Sequence, residues 1–474
     1  MNNTHGTPIK ARRTAPAARA ISVVTAAALL AATWPTSPPA RAQGTGGLPI
    51  IRDAETEQLL RDYTQPILRV AGLAQQNVHV VIINDRSFNA FVADGRRIFI
   101  NAGALMEAKT PNEVIGVLAH ETGHMAGGHL ARIREQLAHA QTASIIAMLL
   151  GLGAMVGAAR SGGAGQVGPA AILAPQEALR KSLLAYQRAQ EEQADKAGVK
   201  FLTMTGQSPK GMYDTFKRMS DQLLFTAKFV DPYAQSHPMP AERVAALAEL
   251  AKSSPYWDKK DPPELQLRHD LMRAKLAGFL DRGDTVGRMY PLSDTSLAAR
   301  YARAIATYRH SDLRLAISQI DGLIAAMPNN PYFYELKGQA LLEGGHPAEA
   351  VGPLHRAVQL APSPALIQIL LAQAILASNE KVSSEEAINL LRAALVREPE
   401  AADAYTQLAM AYGRKNDYAQ ADLASANAAF LRGDAQAARM LATRAKTRLP
   451  VGSPAWVRAD DLVNYKPMAG TRPN

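Results

Sequence analysis

Cysteine is absent from the 474 residues. A disulfide framework, a thiolate metal site and a cysteine nucleophile are therefore all excluded, and any metal must be held by His, Asp or Glu. Aromatic residues make up only 6% of the chain, and no basic stripe is interleaved with them, so base-stacking surfaces for nucleic acid are not expected. The formal charge of +10 is no stronger an argument for such a partner. Lys10, Arg12, Arg13, Arg19 and Arg41 supply +5 before residue 43 with no acid among them, which leaves about +5 for everything that follows. What the chain does have is 47% hydrophobic residues, enough to fill two cores, and a length that suits two folded domains.

The basic residues 10 to 19, the short apolar run Ala20 to Thr33 and the small-x-small triplet Ala40-Arg41-Ala42 form the pattern of a cleaved export signal over residues 1–42. An uncleaved N-terminal anchor is the alternative, although the run is shorter than the ~20 residues that span a bilayer. Helical spacing of Leu59, Leu60, Ile67, Leu68 and Val70 predicts a helix over Ala54 to Ala71. The β-branched segment Val78 to Ile83 and a hairpin around Asp94-Gly95 then predict a small sheet. The next helix starts at Thr110-Pro111, with Thr110 as cap, Pro111 at the first helical position and Glu113 three residues on.

That helix carries His120-Glu121-Thr122-Gly123-His124, an HExxH pattern. Residues i and i+4 share a helical face, so both imidazoles can reach one cation while Glu121 stands beside it. Two neutral imidazoles and one oxygen suit a single zinc ion per chain with a fourth position left for water. Glu121 is then the general base that accepts a proton from that water and passes it to the leaving amine. His129 lies five residues past His124, about 140° round the helix, which places it outside the ligand set as a solvated or supporting group. The third ligand is expected from Glu191, in a helix over Ala178 to Leu202. Glu192 should face solvent, and Asp195, one turn after Glu191, either hydrogen-bonds a ligating imidazole or forms a surface ion pair.

HETGH, Glu191-Glu192-Gln193-Ala194-Asp195 in ExxAD form, and Ser236-His237-Pro238 followed by Arg243 together resemble the zinc peptidases related to the CAAX prenyl protease. The resemblance implies an α+β, mainly α fold of gluzincin type, with His120, His124 and Glu191 on zinc, Glu121 as base and Asp195 as an auxiliary acid. It implies further that Asn89-Ala90-Phe91 lies on a sheet edge where an extended substrate pairs; simple core packing is the other reading of Phe91. His237 either contacts the oxyanion, occupies the open zinc position, or is a buried structural residue. Arg243 clamps that loop or a carboxylate, or is an exposed helix charge.

Residues 143 to 159 are uncharged and are followed by Gly-rich sequence to 168, which leaves a mobile lid, membrane-surface contact and a membrane span all open. Pro328 and Pro362 stand 34 residues apart, the period of a tetratricopeptide repeat. Gly338, Ala350, Ala357, Ala387, Ala394, Leu408 and Ala428 fit the small or apolar positions of successive units. At least four helical pairs are expected over 295–450, with a concave surface for partner proteins. The expected layout is a signal over 1–42, a peptidase domain over 50–260, a linker over 261–294, the repeats, and a tail over 451–474. Unfolded or misassembled outer-membrane proteins as substrates, and outer-membrane assembly machinery as a partner of the repeats, follow from the resemblance alone.

Overall fold

A computed structural model describes residues 49–132, 135, 170–225, 233, 236–378 and 384–465. The expected signal, the uncharged run from 143 to 159 with the Gly-rich sequence to 168, residues 381–383 of the repeat insertion and the last nine residues of the tail lie outside the described residues. Strand β1 (Ile50–Ile51) leads into helix α1 (Ala54–Val70), followed by β2 (His79–Ile83), β3 (Ala90–Asp94) and β4 (Arg97–Asn101). The strand order is β1-β2-β4-β3, with β2 and β4 parallel and the other pairs antiparallel, so β3 ends one side of the sheet. The short β1 is not foreshadowed by its sequence; it exists because Ile50 and Ile51 pair with Ile83 and Ile82.

The core beneath the sheet explains the local patterns. Leu59, Leu60, Tyr63 and Ile67 of α1 meet Ile82, Ile98 and Ile100 from the strands, and Val114, Ile115 and Leu118 from helix α3 (Pro111–Ala126), which follows a short α2 (Ala102–Glu107). Each such side chain contributes about 1.5–3 kcal/mol by leaving water. Helix α3 begins as its sequence predicts. Thr110 accepts a hydrogen bond from the Glu113 N–H at 3.4 Å, a cap of about 1 kcal/mol, and Pro111 occupies the first turn where no N–H is needed.

Helices α4 (Ala170–Met204), α5 (Lys210–Phe225) and α6 (Ala241–Lys252) close the site side of this core. Two glycines of α3 set how near they come. A Cβ on Gly116 would stand 2.6 Å from the Met212 Cα of α5, and one on Gly123 would stand 2.7 Å from the Ala194 carbonyl of α4. The helix that carries HExxH therefore lies directly on the backbones of its neighbours. Among the described residues, no helix is long and apolar enough to cross a membrane.

Residues 261–294, expected as a linker, instead hold helices α7 (Pro263–Leu280) and α8 (Gly283–Met289). Met272 and Leu276 of α7 join the first core, while Leu271 and Ala274 join the core of the repeats, so α7 is shared by both. Because it is buried on opposite faces, its apolar residues do not form the single stripe that marks a surface helix. Five antiparallel pairs follow: α9 (Leu297–His310) with α10 (Leu313–Ala326), α11 (Pro331–Glu343) with α12 (Pro347–Leu360), α13 (Ala365–Ala377) with α14 (Ser384–Arg397), α15 (Ala402–Arg414) with α16 (Tyr418–Leu431), and α17 (Ala435–Arg448) with α18 (Pro454–Asn464). The stretch expected as a tail thus supplies a helix whose Ala459 is buried. At Gly338 a Cβ would meet Leu354 at 2.3 Å, and Ala350, Ala357, Ala387 and Ala394 are fully buried, which shows why small residues recur there.

The start of α1 rests against the repeats. Ala54 packs on Ala357 and Ile367, Arg52 pairs with Glu398 at 3.1 Å, and the Tyr301 hydroxyl donates to Glu55 at 2.9 Å. Between them lies buried Lys275 of α7, whose Nζ is 2.5 Å from Asp53, 3.4 Å from Glu55 and 3.6 Å from Glu335. Burial and then the neighbouring carboxylates act on Glu335 in opposition to Lys275, and the net result pushes its acid up to about 7.

Candidate active site

Helix α3 presents His120, Glu121 and His124 toward α4, which brings Glu191 and Asp195 to meet them one turn apart. The His120 and His124 Nε2 atoms are 3.0 Å apart, and each is 3.4 Å from an oxygen of Glu191. The loop before α6 adds His237, with Nδ1 3.3 Å from His120 Nε2 and 3.0 Å from Glu191 Oε2. One ligand atom from each of these four residues lies within 4.8 Å of all the others. Four donors at 2.0–2.1 Å around one tetrahedral ion stand ~3.3 Å from one another, so the spacing and the nitrogen and oxygen chemistry both fit a divalent metal.

Supporting groups fix these donors. His120 Nδ1 is 2.9 Å from Asp195 Oδ1, on the opposite side of the ring from the cluster. Arg243 grips both oxygens of Asp195, Nε to Oδ2 at 2.7 Å and Nη2 to Oδ1 at 2.9 Å, and its Nη1 reaches Glu191 Oε2 at 2.9 Å and the Pro238 carbonyl at 2.9 Å. A bidentate guanidinium between two carboxylates and a loop carbonyl ties α4, α6 and the His237 loop together. Arg243 is thus a buried clamp and not an exposed helix charge. His129 is also buried, contrary to a solvated placement, and its Nδ1 lies 3.0 Å from His124 Nδ1, outside the four-residue cluster. Glu192 faces solvent as expected.

The electrostatics divide the donors by environment. Burial lowers the affinity of His124 for a proton, to a pKa of about 3. Burial acts on His120 in the same sense but is outweighed by Asp195 and Glu191, which raise it to about 9. Glu191 is held far below the ordinary carboxylate range because hydrogen bonds from His120, His124 and His237 overcome the cost of burial. Glu121 moves the other way: burial raises it above its ordinary value, which makes it a better proton acceptor. A carboxylate that stays ionised and one that is basic therefore stand side by side.

Asn89, Ala90 and Phe91 sit where β3 begins. The Asn89 carbonyl accepts from the Asn101 N–H at 2.9 Å, Ala90 is fully buried, and Phe91 stacks on Phe99 at 5.2 Å. Phe91 is thus a packing residue on a strand that is also the sheet edge, and β3 lies against α3. Two residues that the sequence reading passes over line the site. Phe216 of α5 meets the His120 ring edge-on at 5.1 Å, and Tyr233 stacks on His237 at 4.5 Å. Tyr233 stands four residues before His237, and the His237 N–H donates to its carbonyl at 2.7 Å, so the i, i+4 relation in the sequence was the available signal.

Comparison with known proteins places the same residues in a family context. Residues 54–251 match the model of Peptidase family M48, so the chain carries an M48 peptidase domain. The chain is similar to the beta-barrel assembly-enhancing protease of Escherichia coli (strain K12), 24% identical over 428 residues that cover 88% of this chain and 84% of that protein. It is similar also to the beta-barrel assembly-enhancing protease of Yersinia pestis, 23% identical over 425 residues, again with 88% and 84% covered. Among solved structures, the crystal structure of YrrB, a TPR protein with an unusual peptide-binding site, is 18% identical and covers 50% of this chain and 99% of that one at a TM-score of 0.28.

Proposed function

We propose that the M48 peptidase domain makes this chain a zinc endopeptidase of the cell envelope. The single observation that carries the reading is the convergence of His120, His124 and Glu191 ligand atoms, with Glu121 beside them, in a buried setting. His120, His124 and Glu191 would hold one zinc ion per chain, and the ion when bound supplies Lewis acidity. Glu121 accepts a proton from the attacking water on its carboxylate and delivers it to the departing amine nitrogen. Asp195 holds the His120 ring through Nδ1 and is itself held by Arg243, so neither imidazole nor carboxylate has to reorganise when the amide binds.

His237 stands at the fourth corner, and we read this as a resting arrangement in which the imidazole takes the position that water needs. Substrate entry then requires the loop ahead of α6 to withdraw, after which His237 is free to hydrogen-bond a developing oxyanion. An extended substrate would pair with β3 at the sheet edge, beginning at Asn89-Ala90-Phe91. The similarity to beta-barrel assembly-enhancing proteases along most of the chain supports work in the assembly of outer-membrane proteins; the signal pattern over 1–42 would bring the chain to the periplasm, where unfolded or misassembled outer-membrane proteins are its substrates and the repeats associate with the assembly machinery. We place the peptidase domain at 50–260 and the repeats from 295 through α18, beyond the 450 expected from the sequence, with α7 serving both.

The test uses the purified full chain. Zinc should bind one per chain, a chelator should abolish cleavage of fluorescein-labelled casein, and added zinc should restore it. Glu121→Gln should keep the zinc and lose about 10²–10⁴-fold in kcat. Absence of bound zinc, or a Glu121→Gln variant as active as the parent, overturns the reading. His237→Ala with unchanged activity at matched zinc would remove its resting and oxyanion roles alone.

A further inference from the structure

Glu121 must offer one oxygen to water while its carboxylate keeps a fixed orientation, and something has to hold the other oxygen. In HExxH the neighbouring histidines cannot do it, because both Nε2 atoms are committed to the metal cluster, His120 Nδ1 faces Asp195 and His124 Nδ1 faces His129. His237 Nε2 is 3.6 Å from Glu121 Oε1, beyond hydrogen-bond reach. The Tyr233 hydroxyl, at 3.3 Å, donates to that same oxygen. Tyr233 is itself fully buried and is fixed on three sides: its ring stacks on His237, Phe88 meets it edge-on at 5.8 Å, and Phe216 lies at 5.9 Å. A packed phenol has only two rotatable bonds, so its hydroxyl is a rigid donor.

We propose that Tyr233 is the positioning residue of the peptidase reaction, fixing the Glu121 carboxylate by a hydrogen bond while tying that orientation to the seat of His237. The inference rests on the zinc-peptidase reading above. A buried carboxylate oxygen with no donor loses a hydrogen bond to a charged group and gains rotational freedom, and both take Glu121 out of line with the water it must deprotonate. Tyr233 keeps its own proton throughout and acts only through Glu121. Its ring and carbonyl give it a second consequence: His237 cannot leave the fourth corner without sliding its imidazole off the phenol face and breaking its N–H hydrogen bond to the Tyr233 carbonyl.

Tyr233→Phe in the full chain removes the hydroxyl and leaves the ring. With zinc loaded and fluorescein-labelled casein as probe, kcat should fall about 10- to 100-fold while KM stays within about twofold and zinc stoichiometry is unchanged. The metal-free chain gives an independent readout: urea unfolding of Tyr233→Phe, Glu121→Ala and the double variant should be non-additive, because the two side chains share one hydrogen bond. An unchanged kcat, a rise in KM alone, or additive unfolding energies each overturn the proposal. A parent chain that binds zinc yet cleaves nothing would overturn the peptidase reading and this inference with it. A parent that cleaves alongside an equally active Tyr233→Phe overturns only the inference.

Discussion

Two buried constellations in this chain each bring together three carboxylates and one lysine or arginine, and they solve the electrostatic problem in opposite ways. At the meeting of α1, α7 and the repeats, Asp53, Glu55 and Glu335 surround Lys275, whose ammonium sits at the point of convergence. At the peptidase site, Glu121, Glu191 and Asp195 come with Arg243, but the guanidinium stands to one side on Asp195 and Glu191. The centre there is bounded by imidazole nitrogens. A cluster that contains its own cation is complete and serves as a mount; a cluster whose donors converge without one has room for an ion from outside. Buried charge alone is thus no sign of a functional site. The position of the protein's own cation is the discriminating feature.

Removing the mount's cation should produce the largest effect. Lys275→Met leaves Asp53, Glu55 and Glu335 facing one another out of water, and breaking a buried pair in this way costs about 3–5 kcal/mol. Urea unfolding should show that loss, while zinc stoichiometry at the peptidase site stays at the parental value. Unchanged stability would mean that the joint is not held by its charges. Loss of zinc together with stability would mean that the two constellations are one system, and the contrast drawn between them would fail.

The complementary change lies in the peptidase site and should be smaller. Asp195→Asn removes the charge that faces His120 Nδ1 at 2.9 Å and half of what Arg243 grips, without touching a ligand atom. Loss of such a partner lowers metal affinity about 10- to 100-fold. Competition against a chromogenic chelator measures it directly, and urea unfolding of the metal-free variant should shift less than in Lys275→Met. An affinity equal to that of the parent would mean that the His120 ring is oriented by packing on Phe216 instead of by Asp195.

The same contrast explains what can be read from the sequence. His120 and His124 are legible because their relation is local, four residues on one helix, and Glu191 with Asp195 is legible because a second helix repeats that spacing. Arg243 and His237 are visible as residues, but that Arg243 is buried across two carboxylates depends on how α4 and α6 cross. Tyr233 has only an i, i+4 relation to His237 to announce it. The Lys275 constellation is invisible because its members stand at 53, 55, 275 and 335, on elements whose approach is set by packing at Ala54, Ala357 and Ile367. Likewise α7 looks like a linker because it is buried on two faces, and β1 is too short to carry an alternating pattern. Five helical pairs emerge where the repeat spacing promised at least four, since the last pair lacks the proline period and is recognised by Ala442, Ala445 and Ala459 inside it.

The finest test of the comparison is the pH dependence of the mount. Glu335 has its acid raised from an ordinary 4.5 to about 7 because burial, together with the charges of Asp53 and Glu55, outweighs Lys275. A group raised in the folded state binds its proton there while the unfolded chain has released it. Its contribution to stability is therefore fully present below about 4.5 and is lost as pH rises through about 7. Glu335→Gln keeps the size of the side chain and has no proton to lose. The variant should match the parent near the acid end of that window and exceed it in melting temperature above it, where the parent must hold a third carboxylate beside one ammonium. An equal gap between variant and parent at both ends would show that Glu335 keeps its charge throughout, with Lys275 strong enough to serve all three acids.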